Sequence, residues 1–292
     1  MTDGGGRSGP ALEPVPNEPA ALAAIGGERA LVIADYHAGY ESGLRYERGV
    51  DVPSRAPERR ERLLALVERT DPDRLVVCGD LMHSIGDPGG AERGELEVLF
   101  ESLPRHLSVT LVKGNHDGAI ETWLEPEGGD GSEPPSGGPE SPNVDVDLPE
   151  PGRLEVVPGD GVRLGDVGFC HGHTWPASEV LEAEVVCVGH EHPCVRLEDE
   201  VGGRRLERAW LRGDLDPAPF RDREGGEYDG LPWLAGGETP TLVVVPAFNE
   251  LVGGTWVNVP GQSFLAPFLP DGLARGEAYL LDGTRLGPYR SV

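Results

Sequence analysis

The amino-acid sequence predicts an α/β protein in which two sheets pack against each other with helices outside. The first observation is a set of short apolar runs, the form that buried strands take, at residues 30–34, 75–78, 109–112, 167–170 and 185–188. The second is their order: strands alternate with helical patterns at first, and the later part of the chain is mostly β. Open α/β sheets gather their chemistry at the carboxyl ends of strands, so the ends of these runs form the candidate site.

The clearest helix lies between the first two runs. Residues 54–70 place Leu63, Leu66 and Val67 on one face, with arginine and glutamate on the other, which is the pattern of an amphipathic helix. Ser54 is suited to be its N-cap. Further helices are predicted over residues 91–103 and 176–184.

The later part of the chain is typical of β structure. Residues 194–198 and 205–211 flank a Gly202-Gly203 turn, which predicts a β-hairpin. Two more strands are predicted over residues 241–245 and 277–281. Together with the earlier alternation of strands and helices, this pattern supports two packed sheets.

Glycine, proline and polar residues indicate the domain organisation. Residues 1–19 are rich in glycine, proline and glutamate and are predicted to be a disordered tail. Residues 20–292 are predicted to form a single domain with two polar insertions, at 125–151 and 213–240. The first insertion has too few apolar residues to order itself, whereas the second contains aromatic residues and can pack in part.

The net charge of −26 is extreme for 292 residues, and Lys113 is the single lysine. An acid excess combined with a loss of lysine is typical of proteins from salt-loving organisms, so we expect a halophilic protein. In low salt such a surface repels itself and destabilises the folded state. The charge would ordinarily argue against nucleic-acid binding, but in a halophile this argument is weak because the whole proteome shares the bias.

The cysteines and the apolar stretches indicate the compartment. The four cysteines form no CxxC pair and are predicted to be free thiols, mostly buried. The N-terminus has no signal-peptide pattern, and no apolar stretch approaches the length of a membrane span. We therefore expect a cytoplasmic protein without a membrane partner.

The residues that follow the five apolar runs are of the types that bind divalent metals. They comprise two carboxylates, one amide and four histidines: Asp35, His37, Asp80, Asn115, His171, His190 and His192. Carboxylate and imidazole ligands suit Mn, Fe, Zn, Co or Ni. Seven groups are too many for one ion, whereas two ions about 3.5–4 Å apart could share them and activate a bridging water. Asp80 stands alone after its strand and is well placed to bridge such a pair.

The spacing within two motifs supports a shared site. Asp35 and His37 are two residues apart, and so are His190 and His192. In an extended backbone, residues two apart point to the same side, so each pair can face one site from one strand end. The residues between them should point away: Tyr36 and Glu191.

Taken together, these motifs resemble the calcineurin-like metallophosphoesterase superfamily. Its pattern of DxH, GD, GNHD, H and GHxH occurs here in order, within residues 30–193, as Asp35-Tyr36-His37, Gly79-Asp80, Gly114-Asn115-His116-Asp117, His171-Gly172-His173 and Gly189-His190-Glu191-His192. One block alone would be a weak signal, but five in order are specific. The resemblance implies a four-layer α/β/β/α sandwich of two mixed sheets, with a dinuclear metal site at the carboxyl ends of the strands.

The resemblance also implies a role for each motif residue. The implied ligands are Asp35, His37 and His192 for the first metal, Asn115, His171 and His190 for the second, and Asp80 for both. His116 would contact the leaving group or the developing phosphoryl charge, and Asp117 would orient His116. The expected cofactors are two divalent ions, with Mn²⁺ as the first choice and Zn²⁺, Fe²⁺ or Ni²⁺ as alternatives.

The implied activity is hydrolysis of a phosphate ester, either a diester or a monoester, by attack of a metal-bridging hydroxide. The later part of the chain, with Pro246-Ala247-Phe248-Asn249 after an apolar run, also looks like a small prokaryotic branch of helicase- or DNA-ligase-associated phosphoesterases. That likeness makes a DNA-repair-associated nuclease, partnered by a helicase or ligase, the alternative. A third alternative is a non-catalytic scaffold, although a pure scaffold has no need of His116 or Asn115.

Several neighbouring residues keep two interpretations. His173 follows the same strand as His171 and is an alternative ligand, although the family's ligand comes first. His83, three residues after the GD block, either lines the pocket or has a structural role. Phe248 and Asn249 either lie near the substrate or pack at a strand end and turn.

Overall fold

A computed structural model of the protein describes residues 10–86, 89–121, 154–199, 201–223 and 225–292. Its first sheet contains six strands: β1 (Leu12–Pro14), β2 (Ala21–Ile25), β3 (Glu28–Ile33), β4 (Arg74–Cys78), β5 (Ser108–Val112) and β6 (Leu154–Val157). Each strand pairs with the next in the sequence. The pairs among the first three strands are antiparallel, and those from β3 to β6 are parallel.

Three helices accompany this sheet: α1 (Tyr40–Arg48), α2 (Ala56–Thr70) and α3 (Gly90–Ser102). Along β3 the side chains alternate, as a pleated strand requires. Leu31 and Ile33 join the apolar cluster that α2 and α3 cover, whereas Ala30 and Val32 join the cluster between the two sheets.

The second sheet contains eight strands: β7 (Val162–Leu164), β8 (Val167–Cys170), β9 (Val185–Val188), β10 (Cys194–Glu198), β11 (Arg204–Leu215), β12 (Thr241–Val244), β13 (Leu273–Leu280) and β14 (Arg285–Pro288). Their order is β14-β13-β11-β12-β9-β8-β7, with β10 paired to β11. β8, β9 and β12 run parallel, and the remaining pairs are antiparallel. The sheet is therefore mixed, as predicted.

The two sheets pack face to face, because one buried cluster draws on both: Val76 and Val112 from the first sheet meet Phe169 and Val243 from the second. The outer face of the second sheet is covered by irregular chain, short 3₁₀ turns and a four-residue helix, α4 (Ala218–Arg221). The predicted α/β sandwich of two mixed sheets is confirmed, with a fourth layer that contains little helix.

Two predicted segments differ from the structure at their ends. The sequence predicts a disordered tail up to residue 19, whereas Leu12–Pro14 form β1 in the structure. The strand forms because the Leu12 and Val15 side chains are buried in apolar clusters. The predicted helix at 176–184 is only a 3₁₀ turn over Val180–Glu182. Residues 1–9 and the insertion predicted at 125–151 lie outside the described residues.

The structure contains one helix that the sequence did not predict, and the N-cap of another helix is one residue later than predicted. Helix α1 was not predicted, since it carries no continuous apolar stripe. Helix α2 begins at Ala56 after Arg55, so Ser54 lies one residue before the N-cap position. Its hydroxyl still accepts a hydrogen bond from the Ala56 N–H, at 3.3 Å.

The segment predicted as a polar insertion at 213–240 is largely built into the fold. Phe220, Tyr228 and Trp233 are buried and pack in the cluster on the outer face of the second sheet. Tyr228 and Trp233 both satisfy their polar atoms by donating to backbone carbonyls. All four cysteines are free, as predicted. None of the helices in the described ranges has the length and hydropathy needed to cross a bilayer.

The parallel strands bring the predicted motifs to one edge of the sandwich. The Asp35 N–H donates to the Gly79 carbonyl at 3.0 Å, which joins the loops after β3 and β4. The Gly189 backbone, after β9, lies so close to the Cys78 carbonyl that an added Cβ would be 2.4 Å from its oxygen. Loops from both sheets therefore meet at the same place.

Candidate metal centre

Five loops bring the predicted ligands together. They follow β3, β4, β5, β8 and β9, and they carry Asp35 and His37, Asp80, Asn115 and His116, His171, and His190 and His192 respectively. One group of ligand atoms within 4.8 Å of one another comes from Asp35, His37 and His192, and another from Asp80, His171 and His190. The sequence-predicted set thus lies in one place, split into two groups.

In the first group the ligand atoms point at each other. His192 Nε2 lies 3.2 Å from Asp35 Oδ1 and 3.5 Å from His37 Nε2. The His192 Nδ1–H is directed away from them and donates to the Gly253 carbonyl at 2.7 Å. This bond fixes the tautomer, so the Nε2 lone pair faces the group, as metal-ligating histidines require.

The second group has the same design. His171 Nδ1–H donates to the Cys78 carbonyl at 2.9 Å, so Nε2 faces Asp80 Oδ1 at 3.4 Å and Asn115 Oδ1 at 3.1 Å. His171 has no exposed surface. The neighbouring His173 is in neither group of ligand atoms, so the geometry favours His171 of the two candidates.

Asp80 lies between the two groups. Its Oδ2 is 3.6 Å from His37 Nε2 in the first group, and its Oδ1 faces His171 in the second. Its backbone adopts φ 50°, a left-handed conformation. A carboxylate that reaches both groups with different oxygens is placed as a bridging ligand needs to be.

The backbone at this site is strained. Eight non-glycine residues in the described ranges have positive φ, and five of them are predicted ligands: Asp35, His37, Asp80, His190 and His192. Such conformations cost about 1–3 kcal/mol each and persist where the surrounding structure enforces them, commonly at functional sites. Their concentration here makes this edge of the sandwich the candidate functional site.

Two motif glycines are required by close packing around the ligands. A Cβ added to Gly114 would lie 2.0 Å from Asp80 Oδ1, and one added to Gly79 would lie 2.0 Å from His171 Nδ1. Any other residue at either position would displace a predicted ligand. The glycines of the GD and GNHD blocks therefore make room for ligands.

Burial and the neighbouring carboxylates shift the pKa values of the histidines at the centre in opposite directions. Burial lowers the pKa of His37 to about 3, although Asp80 opposes the shift, and burial together with His171 lowers that of His190 to about 4. Burial also disfavours the charged form of His171, yet Asp80 and Asp35 raise its pKa to about 9. Two neutral imidazoles are thus ready to coordinate, and the carboxylates favour positive charge at the centre.

His116 and Asp117 do not act on each other as predicted. Asp117 is fully buried, and its carboxylate accepts hydrogen bonds from the N–H groups of Met82 (2.9 Å) and Gly114 (2.8 Å). The His116 Nδ1–H donates to the His83 backbone carbonyl instead. The prediction that Asp117 orients His116 is wrong, because the carboxylate is occupied in joining the loops after β4 and β5.

A cleft of about 450 Å³ opens over the first group. It is lined by α1, by loops that carry histidines and by residues 252–253; the lining includes Tyr40, Arg48, His83, Ile85 and His116. His83 lies within the site: its Nδ1 is 3.4 Å from His37 Nδ1, and its ring stacks on His116 at 5.4 Å between centroids. Of its two interpretations, the pocket-lining one agrees with this geometry.

A family model for the calcineurin-like phosphoesterases matches residues 28–194, more than half of the chain. The chain belongs to this family. The matched range contains all five motifs and every predicted ligand. The resemblance inferred from the motifs is therefore confirmed, and phosphoester hydrolysis is the activity of the family.

Solved structures are also similar to this chain. The crystal structure of Pseudomonas putida nuclease MPE is similar over 94% of this chain and 100% of that chain, with a TM-score of 0.50 and 19% sequence identity. The E. coli phosphoesterase YfcE is similar over 61% of this chain and 76% of that chain, with a TM-score of 0.32 and 17% identity. No curated protein sequence matches the chain. At 19% identity, the similarity to nuclease MPE is evidence for a shared fold only.

The roles of the residues around the family motifs could be predicted only in part from the sequence. Glu191 points away, as predicted, and accepts hydrogen bonds from the Thr255 hydroxyl and the Leu265 and Ala266 N–H groups. Asn249 is buried, and its side chain reaches the His37 carbonyl at 3.4 Å, which agrees with packing at a turn. Reasoning from sequence missed Tyr40 and the backbone carbonyls that orient the histidines, since neither leaves a motif.

Proposed function

We propose that this chain hydrolyses phosphate esters with two divalent ions held at the centre described above. The observation that carries the proposal is the convergence of ligand-type side chains from five loops in two groups that share Asp80. The proposed ligands are Asp35, His37 and His192 for one ion, Asn115, His171 and His190 for the other, and Asp80 for both. Family membership supports the same reaction class.

The chemistry of the donor set fits such ions. Carboxylate, amide and imidazole groups suit borderline divalent metals, and none of the ligand atoms is a thiolate. His192 Nε2, whose lone pair faces the group, lies 3.2 Å from an Asp35 oxygen and 3.5 Å from His37 Nε2, so acceptor-type atoms converge where a cation or proton can lie between them. Bound there, two ions would supply a nucleophilic water at neutral pH and neutralise charge on the phosphate oxygens.

His116 is the proposed catalytic residue of the chain itself. Its ring is partly exposed in the cleft, with Nε2 3.9 Å from Asp80 Oδ2 and Nδ1–H held by the His83 carbonyl. A water that has lost one proton to solvent adds to phosphorus, and the bond from phosphorus to the leaving oxygen breaks. That oxygen keeps the electron pair and takes the Nε2 proton of a doubly protonated His116 ring, which regains a proton from solvent while its Nδ1–H stays on the His83 carbonyl. Asp117 is proposed to hold the loops in place rather than to act on the substrate.

The test compares activity with ion content. Purified protein in molar KCl, freed of metal and then given Mn²⁺, is expected to hydrolyse bis-p-nitrophenyl phosphate and to bind two ions per chain by elemental analysis. Asp80→Asn should lose both the activity and at least one ion. Asp222→Asn, which removes an exposed carboxylate outside the cleft, is the control and should keep both. Full activity in metal-free protein would refute the proposal.

A nuclease is the second candidate. It is favoured by the similarity to nuclease MPE over nearly the whole of both chains. The cleft beside the centre is open at the surface and lined by Arg48, which could meet a further phosphate of a strand. Single- and double-stranded DNA in molar salt with Mn²⁺ discriminates: cleavage supports the nuclease, whereas hydrolysis of small esters alone supports the general phosphoesterase. A scaffold would cleave neither.

The choice of Mn²⁺, the halophilic character, the cytoplasmic location and an association with a helicase or ligase are also proposals. Mn²⁺ suits the oxygen and nitrogen donor set, with Zn²⁺, Fe²⁺ and Ni²⁺ as competitors. The charge of −26 supports the halophilic character. Activity measured across these ions, and unfolding measured from low to molar KCl, would test the first two directly.

A further inference from the structure

Glu92 is a buried carboxylate that holds a loop of the active site. It lies in the first turn of α3 and is 2% exposed. Its Oε1 accepts hydrogen bonds from the N–H groups of His83 at 2.5 Å and of Ser84 at 3.0 Å. Burying a carboxylate is costly unless it is hydrogen-bonded, and the N-terminal end of a helix favours negative charge. These contacts stabilise both the carboxylate and the loop.

The loop that Glu92 holds is the one that orients His116. The His83 carbonyl accepts the hydrogen bond from His116 Nδ1–H, and the two rings stack with an interplanar angle of 13°. A continuous chain of contacts therefore runs from Glu92 through the His83 backbone to the His116 ring. It keeps a proton on Nδ1, holds the ring in place and sets the direction of Nε2.

The close approach of α3 to this region depends on Gly39. A Cβ added at Gly39 would lie 2.5 Å from the Glu92 Cβ. The loop after the DxH motif therefore lets the first turn of α3 reach the His83 loop. Glu95, one turn later, is also buried, but among the described residues its carboxylate accepts from the Gly39 N–H and the Arg59 guanidinium and not from His83 or Ser84.

We propose that Glu92 is the positioning residue for His116, acting through the His83–Ser84 backbone in the role that the family resemblance implied for Asp117. This inference rests on the proposed function, in which His116 delivers a proton to the leaving oxygen. Its consequence is specific. Loss of Glu92 should matter most for esters whose leaving group needs that proton.

The experiment uses aryl phosphodiesters of similar shape and increasing leaving-group basicity: bis-p-nitrophenyl, bis-p-chlorophenyl and diphenyl phosphate, each with the Mn²⁺-loaded full chain. For Glu92→Ala, the loss in kcat should grow along the series to about 10²-fold for diphenyl phosphate, the low end of what a general acid contributes. Glu92→Gln keeps an oxygen acceptor for the two N–H groups and should restore most of the rate. The ion content should remain two per chain.

Two further variants separate positioning from general damage. Glu95→Gln, the control for altering a buried carboxylate on the same helix, should show no dependence on the leaving group. The double variant Glu92→Ala/His116→Ala should be no slower than His116→Ala alone, because both changes remove one function. If Glu92→Ala does not fold, Glu92→Asp, which withdraws the carboxylate by one methylene, should show the same dependence in weaker form.

The outcomes distinguish the two proposals. Equal losses along the ester series, or losses that multiply in the double variant, would overturn the positioning role and leave the proposed function intact. If the unmodified protein with Mn²⁺ hydrolyses none of the three esters, the proposed function fails and the inference fails with it.

Discussion

The molecule contains two buried polar clusters beside the first sheet, and they are built in opposite ways. In one, the Arg59 guanidinium donates to Glu41 and to Glu95, the latter at 2.7 Å from Nη2, so donors meet acceptors. In the other, the metal centre, the lone pairs of Asp35 and His192 face each other at 3.2 Å. The first cluster is complete within the protein, whereas the second is, in our proposal, completed by a cation.

Backbone conformation separates the same two regions. None of the three residues of the Arg59 cluster has a positive φ, whereas five of the predicted ligands do. Strain of this kind is retained where function requires a geometry that stability alone would not select. We therefore expect the Arg59 cluster to serve stability and the proposed metal centre to serve activity, and the following changes test this expectation.

The largest effect is expected for Asp80→Asn. The amide keeps an oxygen that can accept the hydrogen bond from the backbone N–H of His116, which is 3.0 Å long in the native chain. It lacks the charge that a bridging ligand needs. Hydrolysis of bis-p-nitrophenyl phosphate should fall to the uncatalysed background while the fold persists. Circular dichroism with parallel rate measurements checks this; retention of more than a tenth of the native rate would contradict the role given to Asp80.

Arg59→Met should affect stability instead of chemistry. Removing one partner of a buried ion pair leaves an uncompensated charge and typically costs about 3–5 kcal/mol. Here it would leave Glu41 and Glu95 without their shared cation. Urea unfolding in molar KCl measures the loss. The rate per folded molecule should stay near the native value. A loss of rate with unchanged stability would contradict the view that the Arg59 cluster serves stability.

Addition of Mn²⁺ should stabilise the metal-free protein. An ion that binds only the folded state adds RT ln(1 + [L]/Kd), which is about 2.7 kcal/mol at a hundred times Kd. The rise in unfolding free energy should be full in the native chain and in Arg59→Met and clearly smaller in Asp80→Asn, which loses at least one ion. Equal stabilisation of all three proteins would show that the ion binds elsewhere.

The smallest effect is expected for Gly114→Ala, a substitution that replaces none of the predicted ligands. The added Cβ would press against Asp80 Oδ1, so ion affinity should fall by about 10–100-fold, as for other changes that reorient a ligand. Gly118→Ala is a matched control in the same loop, because nothing lies within 4 Å of its Cβ position. Titration calorimetry compares the two; equal affinities would mean that Asp80 is not held where the structure places it.

The sequence predicted which side chains converge better than it predicted the loops around them. Each ligand follows an apolar run by one to four residues, and a short strand ending in Asp, Asn or His is a local pattern. Convergence then follows from parallel strands, which bring their carboxyl ends to one edge. The ligand geometry needed no knowledge of the loops, except at His171, where burial and the Cys78 carbonyl favour it over His173.

Contacts between loops could not be predicted in the same way. Asp117 follows His116 directly, yet its carboxylate turns to Met82 and Gly114, because the packing of two loops decides its partners. Glu92 looks like any acidic residue at the start of a helix. Helix α1 was missed since its buried face is not a continuous apolar stripe, and β1 because a short edge strand in a polar segment resembles a tail.

The most direct test of the central claim is a crystal structure of the chain grown with Mn²⁺, with anomalous differences recorded near the manganese edge. We expect two peaks about 3.5–4 Å apart. One should lie beside Asp35, His37 and His192 and the other beside Asn115, His171 and His190, with an Asp80 oxygen on each. A single peak, or peaks that Asp80 does not contact, would contradict the dinuclear centre.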